Sequence, residues 1–334
     1  MQKRNIPYIT CATMYAGNLA GLTSEEFYLN ANKSFWAQKH CLDLHGCSGS
    51  PGFDLPGWTG WDFGGEIEFS NSGKVNIPKF NRKAVSNLQE ALELKRPKLD
   101  DCPGFNKRLE FYNIACAEGY NASLPAGSPL EVLGHIVEPS LIFRWMRKEP
   151  QLVHHLLELA TDYLIDVSKY YIAKFGVEHC SAFSCYPMES NDLISPKHVK
   201  EYSLPYMKKI HKTLMDLGVT QMGIHLCGSH HHNLEFFKEL NLPKGSFISV
   251  SEKMDIIDVA DVLGTEYTYG GNVPTALLLS GTYDQIYKYS QNLISKMIAT
   301  DLEFVLMPSC DLPPNTPPIN VHAMTCAANS FECM

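Results

Sequence analysis

The 334-residue chain has no basic surplus: 28 Lys and Arg stand against 36 Asp and Glu, a formal net charge of −8. Neutralising phosphates needs the opposite balance, which disfavours nucleic acid and anionic membrane as partners. The sequence contains no apolar run of about 18 residues, the length a spanning helix needs. Its start, Met1-Gln2-Lys3-Arg4-Asn5-Ile6-Pro7, has a small basic patch with no long apolar segment behind it, which does not read as a signal peptide. No CxxC pair occurs among the 11 cysteines, and no GxGxxG follows any apolar stretch. The first absence speaks against a structural zinc site built from close-spaced pairs. The second speaks against a dinucleotide-binding, doubly wound sheet.

What is present fits a large core. Hydrophobic residues make up 45% of the chain and charged ones 19%, enough for one barrel-sized domain or two modest ones. The cysteines are scattered and odd in number, unlike a small secreted disulfide framework. A reducing cytoplasm suits them better, with most acting as small buried hydrophobes.

Helical periodicity is plain from Pro150 onward, where Leu152, Leu156, Leu159, Tyr163, Val167 and Tyr170 share a face and Gly176 can stop the helix. Ser195-Pro196 caps and opens another helix, Thr23-Ser24-Glu25-Glu26 starts one running to about Leu44, and a final helix follows Pro317-Pro318. Between the later helices lie short apolar stretches: Leu130–Val137, His179–Phe183, Gln221–Leu226, Ser246–Val250, Thr265–Tyr269 and Glu303–Met307. Repeated strand-then-helix order implies a parallel sheet. Six such strands, with further ones expected from the first 50 residues, point to an α/β fold of the TIM (β/α)8 barrel type. Glu66–Phe69 and Lys74–Ile77 alternate around Asn71-Ser72-Gly73 as a β-hairpin, an elaboration on the barrel together with the N-terminal helices.

The segment Gly223-Ile224-His225-Leu226-Cys227-Gly228 carries the strongest chemical signal. Residues two apart on a strand face the same side, so His225 and Cys227 project together near the strand end, where the glycine lets the chain turn. In a parallel barrel that end is the catalytic rim. A second strand, ending in Met307-Pro308-Ser309-Cys310-Asp311, delivers Cys310 to the same end. Two thiolates, one imidazole and one open position form the ligand set of a catalytic zinc ion. Two thiolates also cancel the metal's charge, which favours holding a substrate thiol as a nucleophilic thiolate over activating water, although such sites serve alcohol oxidation too.

The chain resembles the uroporphyrinogen decarboxylase superfamily, and within it the cobamide-dependent methyltransferase branch. The matching text includes Leu193-Ile194-Ser195-Pro196, His225-Leu226-Cys227-Gly228, Ser249-Val250-Ser251-Glu252-Lys253, Gly271-Asn272-Val273 and the run Pro308–Pro318. Order and spacing match from about residue 126 to 334, while 1–125 match only loosely; the whole of 1–334 is expected to form a single domain. The resemblance implies a TIM barrel with its site at the strand C-termini and a zinc ion on His225, Cys227 and Cys310. It implies a methyl group taken from a methylcorrinoid, carried by a separate corrinoid protein, and passed to a thiol such as coenzyme M. A carboxylate can fill the open zinc position before the thiol arrives, and Glu252 is the residue placed to do so, unless it is a solvated loop residue. The decarboxylase proper grips eight carboxylates with an arginine-rich segment near its N-terminus. Here Ile6–Gly21 contains no arginine and none follows Arg147. Decarboxylation of a tetrapyrrole is therefore a poor alternative. A non-catalytic corrinoid- or thiol-binding barrel is the other.

Further residues have two readings each. His135, on the stretch Leu130–Val137, can point into the barrel toward the corrinoid or pack in the core. Asn191, in a polar loop after His179–Phe183, can contact the cofactor or substrate from the rim. His230-His231-His232 can bind a second metal or form the polar first turn of a helix. Asp311 can orient a metal ligand or shape the turn before Pro313-Pro314.

Overall fold

The computed structural model describes residues 13–53 and 55–330. Eight strands are present among them: β1 (Glu66–Glu68), β2 (Lys79–Arg82), β3 (Ala122–Pro125), β4 (Cys180–Cys185), β5 (Met222–Leu226), β6 (Phe247–Val250), β7 (Thr268–Val273) and β8 (Glu303–Pro308). The last six form one sheet, every neighbouring pair parallel and in strict chain order from β3 to β8. A doubly wound sheet reverses its strand order partway across; this one does not, and its one-directional progression is that of an α/β barrel wall. No helix among the described residues is long and apolar enough to cross a membrane.

Each crossover carries helix on the outer face. Proline opens many of these helices, at Pro129, Pro139, Pro150, Pro196 and Pro318, where its missing N–H costs nothing. The longest, Pro150–Phe175, buries Leu152, Val153, Leu156, Leu157, Ala160, Leu164 and Val167 and ends at Gly176 with φ +86°. One face of the sheet takes Met222, Ile224 and Leu226 of β5, all buried. The other takes Phe183, Gly223 and Phe247, which are neighbours across β4, β5 and β6. A Cβ at Gly223 would sit 3.0 Å from the Phe183 ring, a tight contact that the ring would have to yield to.

Four expectations differ. The described part of the first 50 residues contributes no strand. The helix expected from Thr23 to about Leu44 is two, Ser24–Leu29 and Ala31–His45, divided at Asn30, whose side chain caps the second. Two further elements change type or place. The stretch Leu130–Val137 is the helix Pro129–Ile136, and the strand preceding it is Ala122–Pro125. Ser128 accepts from Glu131 N and Pro129 fills the first turn, so local capping turns an eight-residue apolar run into helix. The hairpin exists, but its second arm is Lys79–Arg82, with Ile67 opposite Phe80. Val75 does not pair in it: its N–H donates to Asn18 Oδ1 at 2.6 Å and its side chain is buried.

The N-terminal helices share a core with the barrel. Phe35 of the helix Ala31–His45 stacks edge-on against Phe111 of the helix Pro103–Ala117 at 6.0 Å. Buried Asp62 accepts from Gly104 N (2.6 Å) and Phe105 N (3.0 Å) and from the Tyr163 hydroxyl, joining both parts of the chain. Asp311 accepts from Thr13 Oγ1 at 3.2 Å, which ties the loop after β8 to the first described helix.

Candidate metal centre

Parallel register brings chemically soft side chains together at one end of the sheet. Cys185 is the last residue of β4 and the direct partner of His225 on β5, and His225 in turn is the partner of Ser249 on β6. One donor atom from each of Cys185, His225 and Cys227 lies within 4.8 Å of the others. Cys310, two residues past β8, places its Sγ 3.9 Å from that of Cys227. All four stand at the C-terminal ends of their strands, the end where parallel barrels do chemistry.

The set fits a soft divalent ion. Two sulfurs bound to one tetrahedral zinc at about 2.3 Å each lie about 3.8 Å apart, close to the Cys227–Cys310 separation. His225 is buried, and its Nδ1 pairs with Ser249 Oγ at 2.9 Å. Its Nε2 is buried and makes no hydrogen bond of ordinary geometry, with the Cys310 thiol close enough to His225 for the two to interact. A buried nitrogen without such a bond is uncommon in a folded interior, and a lone pair aimed at a cluster of thiols is what a metal ligand needs. Without a cation the thiols resist ionisation. Cys227 is pushed up to about 12, first by the Cys185 thiol beside it and then by burial. Cys310 is likewise pushed up to about 12, first by Cys227.

The surrounding backbone is held by side chains. Gly228 turns the chain at φ +87°, and a Cβ there would lie 2.5 Å from Ser190 Oγ. Buried His230 donates from Nε2 to the Cys227 carbonyl at 3.1 Å, and burial pushes its pKa down to about 4, so it stays neutral. Ser251 donates to the Gly228 carbonyl at 2.6 Å. Asn272 holds the Ser251 and Met254 carbonyls at 3.0 and 2.8 Å.

Of the residues singled out by sequence, His225 and Cys227 lie in one cluster with Cys185. Cys310 adjoins it through Cys227 without belonging to the group whose donors all lie within 4.8 Å of one another. Glu252 does not join them; it is exposed on the turn after β6, beside Lys253. The carboxylate whose charge reaches Cys227 belongs to Glu131, in the first turn of the helix Pro129–Ile136. His135 lies on that helix, half-buried, with its Nδ1 3.0 Å from Thr59 Oγ1, and burial pushes its pKa down to about 4. Asn191 is engaged with the loop after β5: its side chain bonds Asn233 and accepts from His232 N, and its own N–H donates to Ser229 O. His231 and His232 are exposed, and no ring nitrogen of theirs belongs to the cluster. Cys185 was not among the expected residues. The strand reading stopped at Phe183, two residues short, and only cross-strand register sets Cys185 beside His225.

Comparison with known proteins adds the following. The family model described as "Uroporphyrinogen decarboxylase (URO-D)" matches residues 6–331. A curated "Methylcobamide:CoM methyltransferase MtbA" from Methanosarcina acetivorans is 25% identical over 259 residues, 76% of this chain and 72% of its own length. The protein of the same name from Methanosarcina mazei is 25% identical over 257 residues. A "Methylated-thiol--coenzyme M methyltransferase" from Methanosarcina mazei is 25% identical over 197 residues, about half of its own length (49%). A solved structure of a "methyltransferase from Methanosarcina mazei" superposes with a TM-score of 0.79 at 21% identity, covering 98% of this chain and 94% of that one, a likeness of fold.

Proposed function

Because the chain belongs to the uroporphyrinogen decarboxylase family, we propose that it is the family's cobamide-dependent type of methyltransferase, moving a methyl group from a methylated corrinoid to a thiol. The observation that carries this reading is the buried Nε2 of His225, without an ordinary hydrogen bond, among thiols at the strand C-termini. His225, Cys227 and Cys310 would hold zinc, which supplies a soft position where an acceptor thiol is kept as thiolate. The relatives' names support a methylcobamide donor and coenzyme M, or a similar thiol, as acceptor.

The chain's own residues prepare that site. His225 Nδ1 pairs with Ser249 Oγ, and in the tautomer where Nδ1 donates to that oxygen Nε2 is left free to bind. His230 and Ser251 immobilise the carbonyls of Cys227 and Gly228, so the thiol of Cys227 is held by its backbone. The corrinoid is proposed to arrive on a separate protein, docking at the rim above β4–β6. Decarboxylation of a polycarboxylated tetrapyrrole lacks its cationic grip. Among the described residues Arg82 pairs with Glu90, Arg96 with Asp162 and Asp166, Arg108 is buried on the Phe53 and Ser123 carbonyls, and Arg144 and Arg147 are exposed on the helix Pro139–Lys148.

Metal analysis of the purified protein and of His225→Ala, Cys227→Ser and Cys310→Ser tests the reading. About one zinc per chain is expected in the wild type and marked loss in each variant. Conversion of methylcob(III)alamin to cob(I)alamin on adding protein and coenzyme M tests the reaction itself. Full zinc retention in Cys310→Ser, or no conversion with any thiol by zinc-loaded protein, would sink the proposal.

A further inference from the structure

A catalytic zinc on three protein ligands keeps one position open. Here a fourth soft donor already stands at the cluster. We propose that Cys185 is a fourth protein ligand in the substrate-free protein, and that the acceptor thiol enters the metal centre by replacing it. The inference rests on the metal reading above and specifies how its open position is guarded.

Three observations support it. The group of donors that meet within 4.8 Å contains Cys185 along with His225 and Cys227. The placement is built into the sheet, because Cys185 and His225 are register partners and both flanking residues of Cys185 are pinned. Ser184 Oγ donates to the Ala126 carbonyl, and Tyr186 N donates to the His225 carbonyl at 3.1 Å. The bland role of a cysteine, small buried hydrophobe, fits poorly: Cys185 is half-buried, and its closest identified side-chain neighbours are an imidazole and a thiol.

Replacement of Cys185 by a substrate thiol balances without an oxidant. One metal–sulfur bond breaks and one forms, and the proton of the incoming thiol passes to the departing Cys185 thiolate. The count of thiolates stays at three, so the charge of the centre does not change. Water entering in place of a thiolate would raise that charge by one in a half-buried site, which disfavours it. Cys185 thereby selects a thiol over water as the entering ligand and keeps the centre closed until one arrives.

X-ray absorption at the zinc edge reads the sulfur count directly, on zinc-loaded protein purified without added thiol. The expected result is three sulfurs and one nitrogen, unchanged on adding coenzyme M. Cys185→Ser and Cys185→Ala are expected to show two sulfurs, rising to three with coenzyme M. Two sulfurs in thiol-free wild type, a measurement that needs no variant to fold, overturn the inference and leave the methyltransferase reading standing. Three sulfurs in both Cys185 variants overturn it equally. Absence of zinc from the wild type overturns both readings together.

Discussion

Replacing Ser249 with alanine removes one hydroxyl from the floor of the cluster and nothing else. In the wild type that oxygen lies 2.9 Å from His225 Nδ1, and both side chains are buried, so water does not take its place. In the tautomer where Nδ1 donates, the variant leaves a buried N–H without a partner, at a cost of about 1–3 kcal/mol. The imidazole can recover part of this by rotating or by moving its proton to Nε2, and either change spoils the lone pair that faces the thiols. Loss of a partner to a ligating histidine lowers metal affinity by about 10–100-fold. At 1.4 kcal/mol per factor of ten, the two estimates agree. Competition for zinc against a chromophoric chelator, on variant and wild type of matched circular dichroism, measures the difference. An affinity within about twofold of wild type would refute the claim that this contact sets the binding tautomer of His225.

Burial also governs Glu189, whose Oε1 accepts from Ser128 and Ser203 while Oε2 has no partner. Its carboxyl is pushed up to about 7, so its contribution is complete below the ordinary glutamate value and is lost as pH rises through about 7. Glu189→Gln is expected to flatten the fall in urea-unfolding free energy between about pH 5 and pH 8 by up to about 3 kcal/mol; an unchanged slope contradicts this. Gly228→Ala puts a Cβ on a left-handed residue and against Ser190 Oγ, and is expected to lower unfolding free energy by about 1–2 kcal/mol or more, which denaturant melts will show or disprove. With Cys227 and Cys310 both held near 12, their thiols carry protons at about pH 7.5 in the metal-free protein. Zinc uptake in weak buffer should therefore release at least two protons per ion, and release of fewer would mean that one of these thiols does not ligate.

The barrel was legible because its strands are short apolar runs ending in Gly, Pro or Cys and separated by capped helices. His225 and Cys227 were legible as partners because period-two geometry lies within one strand. Cys310 needed only the expectation that parallel strands end on the same side. Cys185 was hidden for a different reason: which residue of β4 faces which residue of β5 depends on register, and a single strand's pattern does not contain it. The helix Pro129–Ile136 was misread from its apolar content alone, although Ser128, Pro129 and Glu131 spell a helix start. Glu252 followed a plausible strand and yet sits exposed on its turn, since the residue after a strand end points wherever the turn sends it.

The loops after β4, β5 and β6 are fastened to one another. Asn191 reaches Ser229, His232 and Asn233; Asp192 takes Lys253 Nζ at 2.8 Å; Ser251 holds the Gly228 carbonyl. Mechanically this half of the rim is a single plate: lifting any one loop breaks bonds to another. The plate carries Cys185, His225 and Cys227 of the proposed donor set on or beside its root, whereas Cys310 follows β8. β7 ties the plate to β8: Asn272 holds the Ser251 and Met254 carbonyls, and Ser309, next to Cys310, donates to the Val273 carbonyl at 2.8 Å.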